Sequence, residues 1–439
     1  MKKVLKFGGS SMADANQFRK IKAIVEADPS RTAIIVSAPG KRFSGDHKVT
    51  DMLYLCYAHL QYGMSCDNIF AMISERFTSI HSELGLKCDI QGELAAIRAK
   101  MDQGITQEEL VSRGEYLAAV LMADFLGFDF VDAANWLLFN PDGTIDESTS
   151  YAALRKVAEN KCVVIPGFYG ALPNGAIKTF TRGGSDISGA YVAAALGATI
   201  YENWTDVPGI LMADPRIVEN PQPIAQVTYT ELRELSYAGA QVLHESTILP
   251  VRKKHIPINI RNTNAPEHPG TMIQEHFDES PSDSPYFITG IAGRKNFNIV
   301  TVNKIGISSE VGALRQILEI FDRYNVPVEY FPACIDSYSM VISADKAGPN
   351  MLAIMMEIEK AVHPDEIKIT ENIAVVAAVG RHMNSRPGIS GQICAALGNN
   401  GINIRMISQS PEELNIVLGV HDKDLAETIR VLYKSFVKS

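Results

Sequence analysis

Between residues 4 and 263, short apolar runs alternate with amphipathic segments, and glycine-containing turns sit where one gives way to the other. No other feature limits the fold as much. Val4-Leu5-Lys6-Phe7 is an apolar run ending in Gly8-Gly9-Ser10-Ser11. Residues 16–27 then place Phe18, Ile21, Ile24 and Val25 at helical spacing, and residues 31–40 form a second apolar run that ends in a turn. Strand, loop, helix and strand in that order make a β–loop–α–β unit. Residues 51–84 and 106–126 carry further helical patterns, and 161–170 read as a buried strand ending in a turn. Residues 185–198 read as a helix of small residues opening at a Ser185 or Asp186 cap, and 199–209 as a strand followed by a turn. This alternation predicts an α/β fold, with a mostly parallel sheet covered by helices on both faces.

The alternation stops after residues 256–263. Residues 278–285 are polar, contain prolines and lack large apolar side chains, which marks a domain boundary. Beyond it the chain repeats itself. With residues 310–330 laid on 386–406, Gly312 meets Gly388, Ile317 meets Ile393, Phe321 meets Leu397 and Val328 meets Ile404. Each copy reads glycine, amphipathic helix, short turn, strand. Further strands precede the copies at 298–302 and 374–379 and follow them at 339–344 and 415–420. Duplicated βαββ-like half-modules behind a larger α/β domain point to ligand sensing or assembly.

Bulk properties narrow the class. A formal charge of -9 over 439 residues argues against a nucleic-acid binder, which needs clustered positive charge. Six cysteines, none in a CxxC pair, fit a reducing compartment. No run approaches the roughly 20 apolar residues of a membrane span, and the run after Lys2 and Lys3 is too short for a signal segment. The expectation is a soluble cytoplasmic protein with no membrane or nucleic-acid partner. HExxH and GxSxG are absent, so zinc and serine hydrolysis have no anchor.

Three polar constellations remain. In the opening loop, Gly8 and Gly9 let backbone N–H groups approach an anion, a following helix capped by Asp14 or Asn16 adds its positive end, and Lys6 reaches in from the strand end. An ordinary strand-to-helix turn has the same pattern. Residues 178–189 repeat it with Gly183, Gly184 and Ser185, and Arg182 adds a fork suited to a carboxylate or phosphate. Asp186 there can bind an amine, orient a cation or cap the helix. Ser112-Arg113-Gly114-Glu115 has the spacing of a capping box, or else turns Arg113 or Glu115 into a cleft, where Glu115 would meet an ammonium group. Two glycine loops in one α/β domain favour either a bipartite polyanion site or a site for a nucleotide and an acid together.

These residues resemble the aspartate kinases of the amino-acid kinase family. The matches are KFGGSS at 6–11, SRGE at 112–115, GF with Gly170 across 167–170, RGGSD at 182–186, WTDVPGI with DPR across 204–216, GA with VLH across 239–244 and GINI with MISQ across 401–409, in the family's order over nearly the whole chain. The resemblance implies a three-layer kinase domain over 1–277, a linker at 278–285, one ferredoxin-like ACT module over 297–360, and a second from 286–296 with 361–439. It implies transfer of the ATP γ-phosphoryl group to the β-carboxylate of L-aspartate by a monofunctional member. A carboxylate acceptor is already ionised at neutral pH and needs no general base. What it needs is placement and relief from anion repulsion.

By the same resemblance Lys6, Gly8, Gly9 and Asp186 carry the transfer. Ser37, Ala38, Thr50, Glu115, Arg182 and Ser185 bind aspartate, with Glu115 on its amine and Arg182 on its α-carboxylate. ATP is held by Lys6, Gly8, Gly9, Ser10, Ser11, Thr205, Asp206, Leu211, Arg216 and Gln241. Mg2+ sits on the nucleotide phosphates, with no dedicated protein metal site. The chain departs from the family at Gln241, where lysine is usual, and at Glu245 and Ser246; Lys253 or Lys254 is the candidate replacement charge. These departures leave a catalytically weakened amino-acid sensor as the alternative. The ACT modules imply feedback inhibition by an end-product amino acid, L-lysine first and threonine or the two combined as the alternative, with Leu318, Glu329, Ser339, Asn403 and Ile404 near the effector, in a homodimer or homotetramer. Taken as a lone residue, Glu329 reads equally as an exposed edge-strand acid.

Overall fold

The computed structural model describes residues 2–181, 183–240, 243, 245–277, 287–381, 383, 387–409 and 414–437, with only the backbone of Glu245 and Ser246. Arg182, Gln241, His244 and the stretch 278–285 lie outside the described residues. Contacts divide the chain into two units: Met1–Ile210 with Pro223–Tyr229 and Val242–Phe277, and Leu211–Gln222 with Thr230–Gln241 and Asp278–Ser439. Leu211–Gln222 and Thr230–Gln241 therefore group with the C-terminal part of the chain, although they fall inside the stretch assigned by resemblance to the kinase domain.

Among the described residues the first unit has ten strands. They are β1 (Lys3–Phe7), β2 (Arg31–Val36), β3 (Asp129–Phe130), β4 (Val163–Pro166), β5 (Tyr169–Ala171), β6 (Ile177–Thr179), β7 (Ile200–Thr205), β8 (Gln226–Thr228), β9 (Ile258–Asn262) and β10 (Thr271–Gln274). Its helices are α1 (Ala15–Glu26), α2 (Val49–Gln61), α3 (Asp67–Leu84), α4 (Ile90–Gln103), α5 (Gln107–Leu126), α6 (Glu147–Val157) and α7 (Gly184–Leu196). α8 (Tyr229–Tyr237), most of which belongs to the second unit, and α9 (Glu245–Arg252) follow. Eight strands form one sheet in the order β3-β4-β2-β1-β7-β9-β10-β8, and β5 with β6 makes a separate hairpin. From β3 to β9 every pairing is parallel, and β9 with β10 is antiparallel.

Period-two alternation sorts the central strands. Leu5 and Phe7 bury against one face, in a core with Phe18, Ile21 and Val25 of α1 and Leu117 and Leu121 of α5. Lys6 points to the other face, where α7 packs. α1 is capped by Asp14, whose carboxylate accepts from the Gln17 amide at 3.0 Å. The capping reading of Ser112 is corrected. α5 starts at Gln107 with Thr106 as cap, accepting from the Glu109 amide at 3.2 Å, so Ser112 lies inside the helix and donates to the Glu109 carbonyl. The pattern Thr106–Glu109 is the same one, six residues earlier.

The second unit continues with β11 (Gly290–Asn303), α10 (Ala313–Arg323), β12 (Val328–Tyr330), β13 (Ser337–Ser343), α11 (Ala344–Ala347), α12 (Met351–Val362) and β14 (Glu366–Val379). It ends with α13 (Ile389–Asn399), β15 (Met406–Gln409), β16 (Asn415–His421) and α14 (Leu425–Phe436). The repeat is visible as structure. Gly312 at φ 91° and Gly388 at φ 93° hold the N-caps of α10 and α13 in the left-handed region that favours glycine. The two modules are fused into one six-stranded sheet, β12-β13-β11-β14-β16-β15. β11 and β14 are each 14 residues long and run antiparallel at its centre: Gly290–Arg294 pairs with the end of β14 beside β16, and Phe297–Asn303 pairs with β13.

Candidate active site

The carboxyl ends of β1, β2 and β4 and the start of α7 converge, the place where open α/β sheets bind ligands. The Gly8 amide donates to the Trp204 carbonyl at 3.0 Å, the Ser11 amide to the Gly8 carbonyl at 3.0 Å, and the Gly40 amide to the Gly9 carbonyl at 2.7 Å. A Cβ at Gly40 would lie 2.6 Å from the Gly9 carbonyl carbon, so the loop after β2 rests directly on the loop after β1. Ser37, Ala38 and Gly40 form that second loop, tied back by the Ser37 amide to the Phe7 carbonyl at 3.2 Å. The chain continues into α2, where Thr50 is half-buried in the first turn. Gly114 lets α5 close on this loop: a Cβ there would meet Ala38 Cβ at 2.8 Å.

Lys6 is buried, and its Nζ lies 2.6 Å from Asp186 Oδ1. Asp186 sits in the first turn of α7, and here another expectation is corrected. The cap is Gly183 at φ 58°, with no side-chain cap bond, so Ser185 and Asp186 are inside the helix and the Asp186 carboxylate is free to face Lys6. A Cβ at Gly167 would stand 2.7 Å from Ser185 Cβ, which places Ser185 against the end of β4. Phe168 next to it adopts φ 79°, a left-handed conformation that an aromatic residue rarely takes and that sites tend to accumulate.

Glu115 is the unusual carboxylate. It is 5 % exposed, and its Oε2 is buried without a hydrogen-bond partner. Burial pushes its pKa up to about 8, against the opposing pull of the Ala38 amide, its own amide, Arg113 and Lys6. Arg113 is accounted for structurally: it donates to Ser112 Oγ at 2.9 Å and stacks over Tyr116 and Tyr169. Ser11 also turns inward, with its hydroxyl 2.8 Å from Thr263 Oγ1. Thus Lys6, the loop 8–11, Ser37, Ala38, Ser185 and Asp186 come together, with Glu115 close enough to Ala38 and Lys6 to feel both.

Thr205 ends β7 and the exposed Asp206 follows it, with Thr205 Oγ1 3.2 Å from Asp206 Oδ1. Leu211 and Arg216 belong to the second unit, where Arg216 is 78 % exposed and pairs with Asp214 at 2.6 Å. Arg182 and Gln241 are outside the described residues, and Lys253 pairs with Glu147 at 3.0 Å.

In the second unit, Leu318 lines a groove of about 670 Å3 along α10 with Val311, Gly312, Arg315 and Tyr338. Glu329 is not an exposed edge acid. Its side chain is 10 % exposed and pairs with Arg294 at 2.9 Å, and Tyr237 hydrogen-bonds to it. Ser339 Oγ lies 2.9 Å from Thr301 Oγ1. Asn403 is exposed and Ile404 half-buried, in the stretch before β15. Only Leu318 of these five lines the groove. Sequence reasoning missed Asn203, whose Nδ2 donates to Asp186 Oδ1 at 3.0 Å. The available signal was a polar residue in a central strand that is otherwise buried.

The amino acid kinase family model matches residues 1–262, and an ACT domain model matches residues 376–436. Aspartokinase 3 of Bacillus subtilis is 32 % identical, over 99 % of this chain and 98 % of its own length. The crystal structure of Clostridium acetobutylicum aspartate kinase superposes with a TM-score of 0.89 at 45 % identity, covering 99 % of this chain and 100 % of that one. Escherichia coli aspartokinase III, solved with aspartate and ADP, gives a TM-score of 0.75 at 24 % identity, with 99 % of each chain covered. Its structure with lysine and aspartate gives 0.72 at 23 % identity, again with 99 % of each chain covered. A mostly parallel α/β sheet followed by a C-terminal ACT-type sheet is the fold that matches these structures. The chain belongs to the amino acid kinase family and, within it, to the aspartokinases, which are ATP-dependent kinases.

Proposed function

We propose that the chain transfers the γ-phosphoryl group of ATP to the β-carboxylate of L-aspartate, giving 4-phospho-L-aspartate and ADP, the entry to aspartate-derived amino acids. The observation that carries this reading is the buried Lys6–Asp186 pair at 2.6 Å, set between two glycine loops and facing a buried carboxyl with an empty oxygen. Lys6 offsets charge on the transferring phosphoryl group. Gly9 and Ser10 present amides to it, while the amides of Gly8 and Ser11 brace the turn. Glu115 Oε2 receives the aspartate ammonium. Arg182 takes the α-carboxylate, with Ser37, Ala38, Thr50 and Ser185 shaping that side. Thr205, Asp206, Leu211, Arg216 and Gln241 hold the nucleotide.

Among the described residues no group of three or more His, Cys, Asp or Glu side chains is gathered for a metal ion. Mg2+ is assigned to the nucleotide phosphates, where it would supply charge neutralisation. No base is required of the protein, because the acceptor carboxylate is ionised at neutral pH.

L-Lysine is the feedback inhibitor we assign, bound where two copies of the second unit meet in a homodimer or homotetramer. The open groove along α10 and the fully exposed Val311 beside it support this, in a fold that holds lysine in the E. coli protein. We assign the protein to the cytoplasm; among the described residues no helix is long and apolar enough to cross a membrane.

ADP release with hydroxylamine trapping of the acyl phosphate tests the reading. Aspartate-dependent product that Lys6→Ala abolishes is expected. Preference for glutamate would overturn the substrate, and no turnover with saturating aspartate would leave the sensor.

A further inference from the structure

β7 lies beside β1 in the middle of the sheet, with Lys6 opposite Asn203 and Val4 opposite Tyr201. Such a strand, covered on both faces, is normally apolar, because a polar group there costs stability unless it is hydrogen-bonded. Asn203 is only 5 % exposed. Its Nδ2 reaches Asp186 Oδ1 at 3.0 Å, the same oxygen that Lys6 Nζ approaches at 2.6 Å. Two residues earlier on the same face, the Tyr201 hydroxyl donates to the backbone carbonyl of Asp186 at 3.0 Å. Gly189 makes this possible, since a Cβ there would fall 2.4 Å from the Tyr201 hydroxyl oxygen. One strand thus grips Asp186 twice, once by its backbone and once by its carboxylate.

We propose that Asn203 is a positioning residue for phosphoryl transfer, holding the Asp186 carboxylate so that Lys6 is shared between Asp186 and the incoming phosphoryl oxygens. This rests on the proposed role of the Lys6–Asp186 pair. An aspartate with Lys6 as its main donor on Oδ1 would grip the ammonium and draw it off the phosphate. A second donor on that oxygen spreads the negative charge and fixes the carboxylate plane, so Lys6 can lean toward the transferring group without Asp186 following it. The effect falls on the transfer step and leaves substrate capture alone.

The groups facing this centre are Lys6 on β1, Tyr201 and Asn203 on β7, and Glu115 on α5. Tyr201 is buried and stays neutral, its phenol raised well above the ordinary value by desolvation and by Asp186. Glu115 titrates in parent and variants alike, so the reading is taken from the difference between them.

The test uses the full-length enzyme. Asn203→Leu keeps volume and removes the donor; kcat is expected to fall roughly 10- to 100-fold, with the KM for aspartate and for ATP within about threefold. Asn203→Asp keeps size and shape and sets a second carboxylate beside Asp186. Like charge replaces the donor, and the acid limb of the kcat–pH profile is expected to move up by about one unit or more. A residue that only packs would leave the kcat of Asn203→Leu near that of the parent. If Asn203→Leu fails to fold, Asn203→Ala is read by the same split between kcat and KM. Parent-like kcat and an unmoved acid limb, with Lys6→Ala and Asp186→Ala inactive, overturn the role of Asn203 only. Activity retained in Lys6→Ala and Asp186→Ala overturns the site itself.

Discussion

Replacing Glu115 by glutamine is expected to make the ligand-free enzyme more stable and the catalyst worse. The carboxyl is buried, its Oε2 has no partner, and its pKa stands at about 8 against an ordinary 4.5. The folded state therefore binds this proton more tightly than the unfolded chain. Stability from the group is fully present below the unfolded pKa and is lost as pH rises toward the folded one. At 1.36 kcal/mol per pH unit, the loss between 4.5 and neutrality amounts to about 3 kcal/mol, and it approaches 5 kcal/mol above pH 8. Glutamine has nearly the same shape and no proton to lose. Its urea midpoint should exceed that of the parent at pH 8, and the two should converge near pH 5.

Function should move the other way. If the aspartate ammonium docks on Oε2, binding turns the neutral acid into a carboxylate, and a proton leaves as aspartate arrives. Calorimetric titration of aspartate at pH 7 in two buffers of different ionisation enthalpy should give apparent enthalpies that differ for the parent and agree for Glu115→Gln. Losing a charge-assisted bond to the ammonium should raise the KM for aspartate roughly 10- to 100-fold. A variant no more stable than the parent at pH 8 would refute the burial reasoning. An unchanged KM with no proton release would remove Glu115 from the amine site.

Three further outcomes follow from particular contacts. Gly40→Ala drives a methyl into the Gly9 backbone, where a Cβ would sit 2.6 Å from its carbonyl carbon, so loop separation should cost about 1–3 kcal/mol and lower kcat, read by thermal unfolding and steady-state assay. Arg294→Ala leaves Glu329 nearly buried without its ion pair; the lysine concentration for half-inhibition should change more than threefold while kcat without lysine holds, and an unchanged lysine response would detach Glu329 from regulation. Gly388→Ala forces a Cβ onto φ 93° at the cap of α13 and should destabilise the second unit by about 1 kcal/mol, seen as a lower melting temperature with normal kcat in the ligand-free enzyme.

What the chain discloses before folding is its periodicity. The apolar run at 4–7, the helical spacing of Phe18, Ile21, Ile24 and Val25, and the run from 31 appear as β1, α1 and β2, because both faces of this sheet are covered and the pattern has one solution. The repeated glycines at 312 and 388 show as matched helix caps for the same reason: a left-handed residue before an amphipathic helix calls for glycine. Local patterns with two solutions misled. Serine and glutamate three apart fits Ser112–Glu115 as well as threonine and glutamate fits Thr106–Glu109, and only the true start of α5 separates them. Likewise a carboxylate on the edge strand β12 reads as exposed until β11 brings Arg294 against Glu329.

The site itself shows where local reading stops. Lys6 and the loop 8–11 allow an anion site from a few adjacent letters, as they allow an ordinary turn, but the residue proposed to orient Lys6's partner lies in another strand, and nothing within a few positions of Asn203 explains it. Its role comes from register: β1 beside β7 sets Lys6 opposite Asn203, and the crossover through α7 returns Asp186 to both. A one-residue slip of β7 would turn Asn203 to the α1 face, amid the aromatic core with Phe7, and swing Trp204 onto Asp186. The polar letters in Tyr201-Glu202-Asn203-Trp204 therefore act in two ways. Glu202 meets Arg31 at 3.1 Å on one face while Asn203 meets Asp186 on the other. Only one register satisfies both pairings, so the polar residues that support the proposed chemistry also specify the strand alignment that assembles it.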